Sequence, residues 1–276
     1  HKQKILPVLQ TIVDRLKVCK DINLTDVTFV CIQHLLFTTI DLIKSLIMLG
    51  AKPSNIHIMG KIYSTCPEVV EQIIKLGVIH YHCTQPQQLG NFNDCFNKDI
   101  ANMWNKVSNT LINTKSNNII ILDDGSKCIT NIPKSLSDNY TVFAVEQTSS
   151  GIAHIKKTNI TVPVVNVAFS AAKQLLESPM IARAVEIKLD KFLSLRSSGL
   201  TSGVVGLGVI GRAVVQKLLS FNHKVIVYDK IKEKCNFINS VKVVNSTQLL
   251  FQEADYIFGC TGEDISISIN INEIQG

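Results

Sequence analysis

The feature that most constrains this chain is the alternation of short apolar, β-branched runs with segments whose apolar residues recur at helical spacing. Val27–Ile32, Asn55–Met59, Val78–His82, Asn118–Leu122, Thr141–Val145 and Pro163–Val167 read as strands. Leu35–Leu49, Pro67–Leu76 and Asp99–Leu111 read as helices between them, with Gly50 and Gly77 as stop signals. Strands that alternate with helices build a parallel sheet covered on both faces. Right-handed crossovers then bring the strand ends along one edge, where ligands bind. The rhythm resumes after a long amphipathic helix, Met180–Leu195. Strands follow at Gly203–Val205, Lys224–Tyr228, Val241–Val244 and Ala254–Phe258, and helices at Val209–Ser220 and Thr247–Gln252. The expectation is an α/β protein of two doubly wound domains with mainly parallel sheets. Residues 1–196 form the first domain and 197–276 the second, joined at Arg196-Ser197-Ser198-Gly199. The second is about half the length of a complete doubly wound domain, so its remaining strands are expected beyond Gly276.

Composition agrees. With 46% hydrophobic and 18% charged residues, the 276-residue chain buries a core, which excludes disorder and coiled coil. No apolar run approaches the ~20 residues that cross a bilayer. His1-Lys2-Gln3-Lys4-Ile5 leads into no apolar stretch of the signal-peptide kind. Lysine and arginine exceed the acids by 28 to 22, but Lys44, Lys61, Lys75, Lys106 and Lys115 are scattered singly, so neither nucleic acid nor membrane is an expected partner. The eight cysteines form no CxxC, and several lie in strand-like runs such as Val30-Cys31-Ile32. That usage suggests reduced thiols and a cytoplasmic setting, with disulfides still open. His80-x-His82-Cys83 has no fourth ligand nearby and reads as alternating strand residues, so no metal is expected.

The segment that carries chemistry is Gly206-Leu207-Gly208-Val209-Ile210-Gly211, between a strand and the helix it opens. Gly206 permits the tight turn, Gly208 lets a pyrophosphate approach the backbone, and Gly211 lets helix and strand pack closely. The helix N-terminus faces the anion. Asp229 ends the next strand about 20 residues on, where a carboxylate accepts from the ribose hydroxyls and repels a 2′-phosphate. The pattern predicts a Rossmann domain that takes NAD in preference to NADP, with Lys230 weakening that preference slightly.

Upstream, Ile121-Leu122-Asp123-Asp124-Gly125, Val145-Glu146-Gln147-Thr148-Ser149-Ser150-Gly151 and Val165-Asn166-Val167-Ala168-Phe169-Ser170-Ala171-Ala172-Lys173 together resemble the S-adenosylhomocysteine hydrolase family. The stretch from His34 to Leu49-Gly50-Ala51, Lys61-Ile62-Tyr63-Ser64-Thr65, and Cys260-Thr261-Gly262-Glu263-Asp264-Ile265 resemble further segments of that family, in the same order. The resemblance implies NAD-dependent hydrolysis of S-adenosylhomocysteine, or a related nucleoside thioether, through 3′-oxidation, elimination and water addition. It implies Lys173 as the base at the 3′-hydroxyl, His34 and Asp124 in proton transfer, Glu177 near the ribose hydroxyls and Gln147 at the substrate. Thr148, Ser149, Ser150, Cys260, Thr261 and Gly262 would contact the cofactor, beside Gly206, Gly208, Val209, Ile210, Gly211 and Asp229. The resemblance also implies a homo-oligomer, and that residues 1–196 are the substrate-binding domain.

The sequence departs from that pattern. Ala168 replaces an asparagine, Gln147 a glutamate and Ala182 a cysteine, while Leu36 and Thr38 replace polar residues. Missing preorganised contacts of this kind point to an altered substrate or impaired turnover. Two alternatives therefore stand beside the hydrolase: an NAD- and nucleoside-binding paralogue acting as sensor or partner, and a 2-hydroxyacid-type NAD dehydrogenase.

Overall fold

The computed structural model describes residues 5–19, 22–84, 92–112, 116–189, 199–237, 239–262, 265–266 and 269–270. The expected linker residues 196–198, together with Glu263 and Asp264, lie outside the described residues. The chain divides into two compact units, His1–Ala168 and Phe169–Gly276.

The first unit holds six strands, β1 (Val27–Leu35), β2 (Ile56–Thr65), β3 (Ile79–Tyr81), β4 (Asn118–Asp123), β5 (Thr141–Glu146) and β6 (Val164–Asn166). They form one parallel sheet in the order β3-β2-β1-β4-β5-β6. The winding direction reverses between β1 and β4. β1 is a continuous apolar run because both its faces are covered. Val30 and Ile32 pack on one face with Trp104, Met103 and Ile100 of α4 (Phe92–Ile112). Phe29 and Cys31 pack on the other, with Ile40 and Ile43 of α2 (Phe37–Met48) and Val69 and Ile73 of α3 (Pro67–Lys75). Gly50 and Gly77 follow α2 and α3 with φ of 101° and 86°, the left-handed turn that glycine adopts without penalty.

Several elements were not legible. Pro7–Val18 is a helix, α1, and α5 (Lys127–Thr130), α6 (Lys134–Asn139) and α7 (Ser149–Ile155) are short ones. β2 runs on to Thr65 because a register irregularity between Gln33 and Leu35 sets Leu35 opposite Thr65. This extension carries Lys61, Tyr63 and Ser64 along the strand ends.

In the second unit a π-helical turn, Lys173–Glu177, leads into α8 (Ser178–Leu189). Then come β7 (Thr201–Val205), α9 (Val209–Ser220), β8 (Lys224–Tyr228), β9 (Lys242–Val243), α10 (Thr247–Glu253) and β10 (Tyr256–Gly259). The strands are parallel, in the order β10-β7-β8-β9. Val204, Val214, Leu218 and Val227 form the core on one face, joined by Ala182 of α8. The buried Glu186 carboxylate binds Arg183 at 2.6 Å and Lys217 of α9 at 3.1 Å, fastening α8 to this unit. The compact units therefore part between Ala168 and Phe169, whereas the expected boundary after residue 196 left that helix with the first domain. Both units have the α/β, parallel-sheet, Rossmann-like architecture expected. All eight cysteines are unpaired, and no described helix is long and apolar enough to cross a membrane.

Candidate functional site

In the second unit, β7 ends at Val205 and the chain turns through Gly206, with φ of 95°, into α9. A side chain at Gly206 would press on the Cys260 backbone and the Thr261 side chain, and one at Gly211 would collide with the Gly206 carbonyl oxygen. Both positions must be bare for the turn to close. Gly208 is different: it caps α9 with ordinary backbone angles, and a Cβ there would meet nothing within 4 Å. The bare side of this residue is open at the helix N-terminus, where unpaired N–H groups attract an anion.

Asp229 closes the same turn from the end of β8. Its carboxylate accepts the Leu207 N–H at 2.6 Å and the Ile231 N–H at 2.8 Å, with the Lys234 ammonium 4.0 Å away. A carboxylate has about four acceptor positions, so capacity for ribose hydroxyls remains. Cys260 joins β10 to the turn by giving its N–H to the Val205 carbonyl at 2.7 Å, and burial pushes its thiol pKa up to about 11. This is a neutral thiol that lines the turn. Val209 and Ile210 open α9, and Thr261 and Gly262 lie exposed beyond β10. The residues fit a dinucleotide: a closed turn, an open glycine at a helix N-terminus, and an acid at the end of the next strand.

The first unit has a second cluster at the carboxyl edge of its sheet. His34 near the end of β1, Lys61 and Ser64 on β2, and Asp124 just after β4 come together there. The Lys61 ammonium is ion-paired with Asp124, and both side chains are only 11% exposed. Burial works against the charge on Lys61, but the hydrogen bond and charge of Asp124 outweigh it, so the Lys61 pKa is raised. The other Asp124 oxygen lies 3.6 Å from His34 Nε2, and His34 Nδ1 shares a 2.5 Å hydrogen bond with Ser64 Oγ. A half-exposed imidazole between a hydroxyl and a braced carboxylate is equipped to exchange a proton with a bound hydroxyl or carbonyl group.

The Asp124 loop is held by Glu146 at the end of β5. This fully buried carboxylate accepts from Gly125 N, Ser126 N, Thr148 N and Thr148 Oγ1 at 2.6–3.1 Å. Gly125 and Ser126 take φ of 109° and 65°, and the value at non-glycine Ser126 is strain that these bonds sustain. Asp123, fully buried, accepts from Ile129 N at 2.8 Å, and burial pushes its pKa up to about 7.

Of the predicted residues, the structure joins His34 with Asp124 in the first unit and Lys173 with Glu177 in the second. The latter pair, 3.0 Å apart within the π-helical turn, is partly exposed. Gln147 gives its backbone N–H to the Asp123 carbonyl at 3.0 Å. Thr148 caps α7 by accepting from Gly151 N at 3.0 Å, and Ser149 and Ser150 lie exposed in its first turn. These four belong to the first unit and the glycine turn to the second. Lys61 and Glu146 were missed as site residues. Lys61 stood out only as part of the segment Lys61-Ile62-Tyr63-Ser64-Thr65, and nothing in its spacing marked it as the partner of Asp124.

Residues 165–263 match the NAD-binding domain of the D-isomer specific 2-hydroxyacid dehydrogenases. The chain is 31% identical over 222 residues, 79% of its length, to an uncharacterized protein of Mycobacterium tuberculosis strain H37Rv, and spans 44% of that protein. It is 31% identical over 101 residues to the cytokine-like nuclear factor N-PAC of Drosophila pseudoobscura, which covers 32% of this chain and 16% of that protein. Among solved structures, a dipicolinate synthase chain from Bacillus halodurans aligns over 86% of this chain and 74% of its own, at 13% identity and a TM-score of 0.42. Apo D-lactate dehydrogenase of Escherichia coli aligns over 59% and 61%, at 16% identity and a TM-score of 0.33.

The second unit is thus an NAD-binding domain, and NAD is its cofactor. The domain match overturns the resemblance to S-adenosylhomocysteine hydrolase, and with it the hydrolysis of S-adenosylhomocysteine. The physical reason is that a glycine turn and an acidic strand end select a dinucleotide, whatever reaction it serves. Upstream, Asp123, Gly125, Glu146 and Thr148 of those segments have structural duties: bracing α5, turning the chain, holding the Asp124 loop and capping α7.

Proposed function

We propose that the chain is part of an NAD-dependent oxidoreductase that interconverts a small 2-hydroxy acid and its 2-oxo acid. The observation that carries this reading is the match of 165–263 to the dehydrogenase domain, on a turn whose glycines and acid fit the dinucleotide. The bound cofactor supplies hydride chemistry at the substrate's 2-carbon. Gly208 and the α9 N-terminus receive the pyrophosphate, and Asp229 orients the adenosine ribose. Within the first unit, His34, hydrogen-bonded to Ser64 at Nδ1 and facing Asp124 at Nε2, is the candidate group for proton exchange. Asp124 faces the imidazole and stabilises its charged form, and Lys61 holds Asp124 in place.

The test is a scan of 2-oxo acids against NADH, followed by loss of its absorbance. Turnover of at least one acid, reduced about 100-fold or more in His34→Ala while NADH affinity is retained, is the expected result. Turnover of none, by protein that binds NADH, would sink the proposal.

A further inference from the structure

The first sheet is doubly wound in its own right, and its winding reverses between β1 and β4. In open parallel sheets that reversal marks the ligand crevice. Here the β1–α2 turn reads His34-Leu35-Leu36-Phe37 and has no glycine, so it is no second dinucleotide turn. It carries instead the His34–Asp124–Lys61 cluster, flanked by apolar side chains that the fold leaves in water. Leu36, Phe37 and Tyr63 are 48%, 61% and 66% exposed, and the Tyr63 ring lies edge-on to His34 at 6.0 Å between centroids.

Neither half of this arrangement is explained by folding. A nearly buried ion pair costs desolvation that its attraction seldom repays, so it is weak ground for stability. Leu36 and Phe37, two and three residues after His34, and Tyr63, whose ring meets His34, are large side chains left exposed, and exposed apolar groups beside a polar cluster are a mark of binding surfaces. We infer that the carboxyl edge of the first sheet binds an aryl-substituted 2-hydroxy or 2-oxo acid, its acid end at Lys61 and His34 and its ring against Tyr63 and the Leu36–Phe37 corner. The inference rests on the dehydrogenase reading for the acid and goes further in naming the side chain.

The chemistry is complementary at both ends. An ammonium has three donors, and Asp124 and the Tyr63 hydroxyl engage Lys61, leaving a third for a carboxylate. His34 meets the 2-oxygen. The ring would cover apolar surface that a lactate methyl is too small to reach. Glu146 holds the Asp124 loop in place beforehand, so little ordering is needed on binding.

Calorimetric titration of the whole chain with phenyllactate and, separately, with lactate tests this, with NADH titrated into the same samples. Phenyllactate is expected to bind about tenfold more tightly than lactate or better. That preference should collapse in Tyr63→Ala, survive in Tyr63→Phe, and both acids should bind more weakly to Lys61→Gln. Tyr63 is exposed, so its variants should fold, and an unchanged Trp104 fluorescence transition, which reports the first unit, checks this. Equal affinities in the wild type, or a preference that Tyr63→Ala leaves intact, would overturn the inference even if NADH binds and other acids turn over. Phenyllactate binding without turnover of any 2-hydroxy acid would overturn the dehydrogenase reading and leave this site standing.

Discussion

Gly208 and Gly211 stand three residues apart in one turn and have separable duties. A methyl at Gly208 meets no protein atom, but it would occupy the space the pyrophosphate needs. Gly208→Ala should therefore change unfolding free energy by less than about 0.5 kcal/mol while weakening NADH about tenfold. Gly211→Ala drives a methyl into the Gly206 carbonyl and should cost about 2 kcal/mol in the same denaturation assay. Asp123 gives a pH signature of its own. Its pKa rises from 3.8 to about 7 on folding, so the folded state favours the protonated form. The stability this brings is complete below 3.8 and is lost as the pH climbs through 7. Urea unfolding at pH 5 and pH 8 should show the wild type losing a few kcal/mol, of order 2–4, relative to Asp123→Asn. His57, pushed down to about 4 by burial, titrates in both proteins and cancels. At this scale the glycine turn and Asp229 were legible because their spacing is local. Lys61 was not, because its partner Asp124 is on another strand and only the sheet brings them together.

Among the elements, the link between β5 and the Asp124 loop is the tightest polar construction of the first unit. Glu146→Gln replaces one acceptor oxygen with an N–H₂ group facing backbone donors. It should destabilise the protein by about 2–3 kcal/mol and weaken acid binding at the first sheet, with NADH binding preserved. The strand–helix alternation was readable wherever an element buries an apolar face. β1, β4, β5, α2, α3, β8 and α9 fall close to their predicted spans. What escaped notice was set by tertiary contacts. β2 is lengthened by an irregularity in its neighbour, α5 to α7 are single turns or little more, and the π-helical turn precedes α8 with no breaker residue to announce it.

The whole molecule has two cores, and each unit closes its own sheet. Trp104 is the only tryptophan and lies in the first unit's core, so its fluorescence reports that unit alone. With NADH at 100 times its Kd, the second unit should gain about 2.7 kcal/mol, seen by circular dichroism, while the Trp104 transition stays in place. A common shift of both signals would show that the units unfold together. The sequence made the cofactor legible at this scale and misled on the reaction, because segments near the first sheet's edge serve the fold as well as the site. The most direct measurement is calorimetric titration of the intact chain with NADH. The account predicts saturable binding at one site per chain that Gly208→Ala weakens. No heat of binding at saturating NADH, from folded protein, would contradict it.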